Sequence, residues 1–135
     1  MNKLNEVKSL KELKLICFDE IDCADLSQLE NLETLYLGAD ESMSSTNTKL
    51  KNTHYLNELK NVNKLYIRCQ NDINCEDFAK LENVETLSLD TDGKIIGDEI
   101  CDMDSLKEIT IHETKLSEKV ESTLREKGVT IKYEN

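Results

Sequence analysis

Residues 29–37 read LENLETLYL and residues 81–89 read LENVETLSL, nearly the same nine letters twice. Their skeleton, apolar-x-x-apolar-x-x-apolar-x-apolar, returns at Val7 (Val7, Leu10, Leu13, Leu15), at Leu59 (Leu59, Val62, Leu65, Ile67) and at Met103 (Met103, Leu106, Ile109, Ile111). The starts Val7, Leu29, Leu59, Leu81 and Met103 lie 22, 30, 22 and 22 residues apart. A fixed period of this length marks a solenoid. Each coil is too small to bury its own apolar face and buries it against the next coil. Such a chain needs no central globular core, and its extended surface suits recognition.

A longer period overlies the short one. Residues 4–37 align with 56–89 at an offset of 52, with identical pairs such as Leu13/Leu65, Cys17/Cys69, Ile21/Ile73, Cys23/Cys75 and Asp25/Asp77. Glu-Thr-Leu-x-Leu also recurs, at 33–37 and 85–89. A two-coil unit has been duplicated. The offset is 52 rather than 44 because eight extra residues lie between the second and third coils.

The Leu-x-Leu core of each unit has period two and predicts a short strand. Strands are expected near 13–16, 35–38, 65–68, 87–90 and 109–112, with a sixth at Val129–Tyr133. The intervening segments place apolar pairs at helical spacing: Leu26 and Leu29, Leu56 and Leu59, Phe78 and Leu81, Val120 and Leu124. The last of these has Ser117 as its N-cap and Gly128 as its stop, predicting a helix over 117–127.

Leu-x-x-Leu-x-Leu at about 22 residues per coil, in five units in register, resembles the leucine-rich repeat family over nearly the whole chain. The resemblance implies an α/β solenoid of about six coils. A parallel sheet would line its concave side, and helices or irregular turns its convex side. It also implies a single domain over 1–135, a non-catalytic protein-binding role and a concave binding face. One feature departs from the family pattern. Where the family places a buried Asn or Cys ladder after each strand, this chain has Phe18, Asp40, Gln70, Asp92 and Thr114, with cysteine one residue earlier at Cys17 and Cys69.

With the leucines pointing inward, alternate strand residues point out of the concave face. These rows are Glu12, Lys14, Ile16; Thr34, Tyr36, Gly38; Lys64, Tyr66, Arg68; Thr86, Ser88, Asp90; and Glu108, Thr110, His112. Tyr36 and Tyr66 should lie side by side, about 5 Å apart. Tyr and Arg are the types most enriched in binding hot spots. The candidate partner-binding set is therefore Tyr36, Lys64, Tyr66, Arg68, Thr34, Ser88 and His112. The eight-residue excess falls in a Ser/Thr/Asn-rich stretch at 38–55, which as a loop would border the same face.

The chain carries 28 acidic and 17 basic residues, a net charge of −11. That excess argues against nucleic acid and anionic membranes as partners and fits either a basic partner or a solvated surface that keeps the chain soluble. Asp19, Glu20, Asp22, Asp72 and Asp92 fall in the turns after strands and would align into a negative edge. An inhibitor or nucleic-acid mimic that neutralises a basic protein is the alternative reading. No stretch is long or apolar enough to span a membrane, and the N-terminus lacks the apolar run of a secretory signal. Five cysteines, an odd number, fit a reducing compartment and a cytoplasmic location. Edge strands guarded by Lys14 and Lys132 suit a monomer or weak homodimer.

Residues 88–99, SLDTDGKIIGDE, nearly match a calcium loop, but Ser88 stands where the first Asp belongs. The repeat register explains the segment better, since Ile95 falls on the position of Ile21 and Ile73. Cys17/Cys23 and Cys69/Cys75 are spaced too widely for common zinc pairs, and only His54 and His112 could add to them. Buried thiols filling the coils are expected. No nucleophile motif or phosphate loop is present, so neither metal nor cofactor is expected.

Overall fold

The computed structural model describes residues 10–15, 20–27, 29–38, 48–112 and 114–134. Six parallel strands form one sheet in the order β1 (Glu12–Leu15), β3 (Thr34–Leu37), β5 (Lys64–Cys69), β7 (Thr86–Thr91), β9 (Glu108–His112) and β10 (Thr130–Glu134). The first five begin one residue before their expected starts, and β10 begins one residue after its own. The cause is a shared carbonyl: Glu33 and Thr34 both donate their N–H to Lys11 O, and Asn63 and Lys64 do the same to Glu33 O. Pairing therefore starts ahead of the first apolar residue.

The register stacks like on like. Leu13, Leu35, Leu65, Leu87, Ile109 and Ile131 share one inward row, and Leu15, Leu37, Ile67, Leu89, Ile111 and Tyr133 the other. Interior members of both rows are buried, whereas Tyr133 on the terminal strand is exposed. Each coil lacks a lid of its own and takes its neighbour as one.

The return segments are 3₁₀ rather than α-helical in the first four coils: Cys23–Leu26, Thr53–Glu58, Cys75–Asp77 and Glu99–Asp102. The repeat itself explains this. Apolar residues recur every third position, and a 3₁₀ turn has three residues per turn. The three-residue step continues past the helices: Leu29 N–H donates to Leu26 O, Leu32 to Leu29 O, Val62 to Leu59 O, Leu81 to Phe78 O and Leu106 to Met103 O. Every third side chain thus points inward, and Leu26, Leu29, Leu32, Leu56, Leu59 and Val62 are all buried.

Among the described residues only the last crossover has a four-residue step, Val120 to Leu124, and it forms the α-helix α1 (Glu118–Glu126). Ser117 Oγ accepts from Val120 N–H at 3.2 Å. At the other end Gly128 donates to Arg125 O and Val129 to Leu124 O, the double bond of a Schellman stop. Gly128 has φ +87°, and a Cβ there would touch nothing within 4 Å. Gly128→Ala should therefore cost only the left-handed backbone penalty, about 1–2 kcal/mol, read from the urea midpoint.

Two small parallel pairs lie beyond the main strands. The strand β2 (Glu20–Asp22) pairs with β4 (Lys49–Lys51), and β6 (Ile73–Asn74) with β8 (Ile95–Ile96). Ile95 sits opposite Ile73, so the repeat register accounts for the calcium-like segment. The gap between the two pairs is bridged by a side chain. Asn71 Oδ1 accepts from Leu50 N–H at 3.2 Å, and its Nδ2 donates to Leu50 O at 3.1 Å.

The 38–55 stretch is shorter as a loop than its composition suggested. Residues 49–51 form β4 and residues 53–58 a 3₁₀ helix, and residues 39–47 lie outside the described part. Leu37 to Leu50 spans 13 positions where Ile67 to Ile73 and Leu89 to Ile95 span 6, so seven of the eight extra residues fall there. The eighth lies between Leu50 and Leu56. At that point Asn52 takes a left-handed conformation, φ 55°, which Asn tolerates. Among the described residues no helix is long and apolar enough to cross a membrane.

Candidate functional site

The outward rows of the sheet run straight across the coils. One row is Lys14, Tyr36, Tyr66, Ser88, Thr110, Lys132, and a second is Glu12, Thr34, Lys64, Thr86, Glu108, Thr130. In the third, Arg68, Asp90, His112 and Glu134 follow one another. Ile16 and Asp19 lie outside the described residues.

Tyr36 and Tyr66 stack face to face, with ring centroids 4.3 Å apart and planes within 5°. Parallel in-register strands force this, because identical side chains leave the backbone at the same angle about 4.8 Å apart. Lys14 Nζ lies 4.8 Å from the centre of the Tyr36 ring, a cation–π contact on its other face. Tyr36 is thereby enclosed, at 7% exposure, while Tyr66 is half-buried and Lys64 exposed. Thr34, Ser88 and His112 are half-buried, and His112 Nδ1 lies 3.9 Å from Glu134 Oε1.

Arg68 differs from expectation. Strand alternation points it out of the concave face beside Tyr66, yet it is 8% exposed. Its Nη1 donates to Asp90 Oδ1 at 3.1 Å and to Asp92 Oδ1 at 3.3 Å, and Nη2 also donates to Asp92 at 3.3 Å. Its Nε has no acceptor. The two carboxylates that the sequence assigned to a calcium-like loop and to an acidic edge are thus partners of one guanidinium. Register explains the pairing, since Arg68 and Asp90 are directly opposed on β5 and β7. Arg68→Met should lower stability by about 1–2 kcal/mol in urea unfolding. This is below the cost of breaking a fully buried pair, because Asp90 and Asp92 stay 23% and 47% exposed and rehydrate.

The acidic edge is engaged within the chain. Asp22 Oδ1 accepts from Ala24 N–H and from Asn52 Nδ2, both at 3.0 Å, and these bonds hold its carboxyl below the usual range. Asp72 accepts from Lys94 N–H at 2.8 Å, and Glu20 lies 3.8 Å from Lys51 Nζ.

Sequence reasoning missed a polar ladder on the side of the coils where strands begin. Asn61 donates to Glu30 O at 2.7 Å, Asn83 to Lys60 O at 2.8 Å and Ser105 to Val84 O at 2.7 Å. The signal was present: Asn31, Asn61, Asn83 and Ser105 occupy one repeat position. The expected post-strand ladder takes another form. Cys69 Sγ donates to Asn71 O at 3.2 Å, and Thr91 Oγ1, at the equivalent position, donates to the same carbonyl.

Three of the thiols are core atoms, and Cys101 is half-buried. Cys23, Cys69 and Cys75 are buried, and desolvation pushes their pKa values up to about 12, 11 and 12. They stay protonated at neutral pH and are poor nucleophiles and poor metal ligands. Among the described residues no group of three or more His, Cys, Asp or Glu is placed to hold a metal ion.

No family model and no curated protein matches the chain. Among solved structures, internalin C2 from Listeria monocytogenes is similar to it, with a TM-score of 0.72 and 22% identity. The match covers 96% of this chain and 54% of that one, so the chain spans about half the length of internalin C2. Six in-register parallel strands, three-residue apolar steps between them and this shared architecture establish that the chain folds as a leucine-rich-repeat solenoid.

Proposed function

We propose that the chain is a non-catalytic module that binds another protein across the concave sheet. Solenoids of this kind typically act as protein-interaction modules and present a preformed concave surface for it. The observation that carries the reading is the Tyr36–Tyr66 stack at the sheet centre, held by Lys14 and flanked by exposed Lys64. Backed by the enclosed Tyr36, the half-buried Tyr66 ring offers a rigid apolar contact, and little side-chain entropy remains to be lost on binding. Thr34, Ser88 and His112 would supply polar contacts around it. Arg68 serves this face indirectly by fixing Asp90 and Asp92 beside it.

The test is capture from lysate of the native host on immobilised protein, with Tyr66→Ala/Lys64→Ala alongside wild type. These two side chains are more exposed than Tyr36, so the variant should keep its fold and lose the partner by at least tenfold. A folded double variant that retains the partner at full affinity sinks the site.

The second reading, neutralisation of a basic protein through the acidic edge, draws on the net charge of −11. It is less favoured because Glu20, Asp22, Asp72 and Asp92 already have partners within the chain. It requires binding that collapses between low and moderate salt. Within the proposal, the buried free thiols suit a reducing compartment such as the cytoplasm.

A further inference from the structure

The cations of the six strands, and of the residue ahead of each strand, are engaged within the chain with one exception. Lys14 lies over the Tyr36 ring, and Arg68 holds Asp90 and Asp92. Lys11 lies 3.9 Å from Glu33, Lys107 3.4 Å from Glu85 and Lys132 3.4 Å from Glu108. Lys64, exposed on β5, is the one whose ammonium has no partner among the described residues. Its neighbours in the row are Thr34 on β3 and Thr86 on β7. Both are half-buried, and neither hydroxyl bonds to another described residue. The row thus runs hydroxyl, ammonium, hydroxyl across three adjacent strands spaced about 4.8 Å apart.

We infer that these three residues seat a single carboxylate of the partner protein, an aspartate or glutamate side chain, with Lys64 as its counter-charge. The inference rests on the concave face being the binding face. Three observations select the occupant. The free groups are an ammonium and two hydroxyls, all able to donate, and a carboxylate accepts through both of its oxygens. A cationic group would instead face Lys64 and be repelled. The acidic excess of the chain lies off this face, because the six strands and the residue ahead of each carry six lysines or arginines and six acids. The nearby acids leave Lys64 unneutralised. Glu33, Glu85 and Glu108 each face their own lysine. Glu12 stands two strands away in the row, about 9.6 Å, beyond the screening length of about 8 Å in physiological salt. The same glutamates limit the seat to one negative charge. A phosphate group would bring nearly two, and a run of acids would meet Glu12 on one side and Glu108 on the other.

The experiment titrates ¹⁵N-labelled protein with the peptide Ac-Ser-Leu-Glu-Leu-Ser-NH2 and, separately, with its neutral glutamine counterpart. Expected are saturable amide shifts centred on Thr34, Lys64 and Thr86. The glutamate peptide should bind about threefold more tightly, the scale of an exposed ion pair, and this preference should shrink with added salt. Lys64→Gln should make the two peptides equal, and Lys64→Arg should keep the preference. Thr34→Val/Thr86→Val, which removes the hydroxyls at nearly constant shape, should reduce it. The amide spectrum of each variant reports its fold. Equal affinity of the two peptides for wild type, shifts absent or centred elsewhere, or a preference undiminished in folded Lys64→Gln or Thr34→Val/Thr86→Val overturns the seat. Each of these outcomes leaves the concave reading standing, because that reading is judged by partner loss in Tyr66→Ala/Lys64→Ala.

Discussion

Phe78→Ala is expected to lower folding stability by about 3–5 kcal/mol. Phe78 is 1% exposed and closes the third return segment, in the row where the other coils carry Leu26, Leu56 and Ile100. It also borders a partly open pocket of about 10 Å³ whose walls include Leu50, Leu56, Ile67, Thr53 and Asp77. Removing the ring would open a cavity beside it, across the boundary between the second and third coils. The neighbours are held by strand register on one side and three-residue turns on the other, so little collapse is available to refill it. A domain of this size has about 5–15 kcal/mol in total, so the loss should be plain in a urea or thermal melt. Because coils are stabilised chiefly by their neighbours, hydrogen exchange should rise most at 48–84. A loss below about 1 kcal/mol would show that the core repacks, and would contradict the rigidity assigned to the stack.

Gly38→Ala should be the most damaging change of a single methyl group, about 3 kcal/mol or more. Gly38 has φ +89°, a conformation that costs a residue with a side chain about 1–2 kcal/mol. A Cβ there would also lie 1.8 Å from Arg68 O, a backbone atom that cannot swing away. Relieving the clash means moving β5 from β3, or breaking the Gly38 N–H bond to Leu15 O at 2.8 Å, with an overpacking cost of about 1–3 kcal/mol. Gly128→Ala is the matched comparison, with the same sign of φ but open space around it. The difference between the two melts isolates the steric contribution. Equal losses would mean that the close approach at Gly38 relaxes.

Much of this protein is legible in one line of text. Leu13, Leu35, Leu65, Leu87 and Ile109 recur with their partners two residues on, and period two dictates strands whose apolar members share a row. The same arithmetic put Tyr36 beside Tyr66, because parallel strands in register carry equivalent residues to the same height. Ser117 and Gly128 marked the ends of α1 through local hydrogen bonding and backbone freedom. The three-residue step at Leu26, Leu29 and Leu32 was also visible, although helical spacing alone did not distinguish 3₁₀ from α.

The fate of the charged residues was not legible. Arg68, Asp90 and Asp92 appear in the sequence as a surface cation, a calcium-loop acid and an edge acid, and only the lateral stacking of β5 on β7 makes them one cluster. The split of the 38–55 stretch into β4 and a 3₁₀ helix likewise depends on β2 lying alongside to receive it. Apolar periodicity is a local pattern, fixed by the geometry of one chain segment, so the sequence by itself determined the coil, the strands and the inward rows. Which charges meet is set by distances between residues some 20 positions apart, and that only the stacked tertiary structure decided.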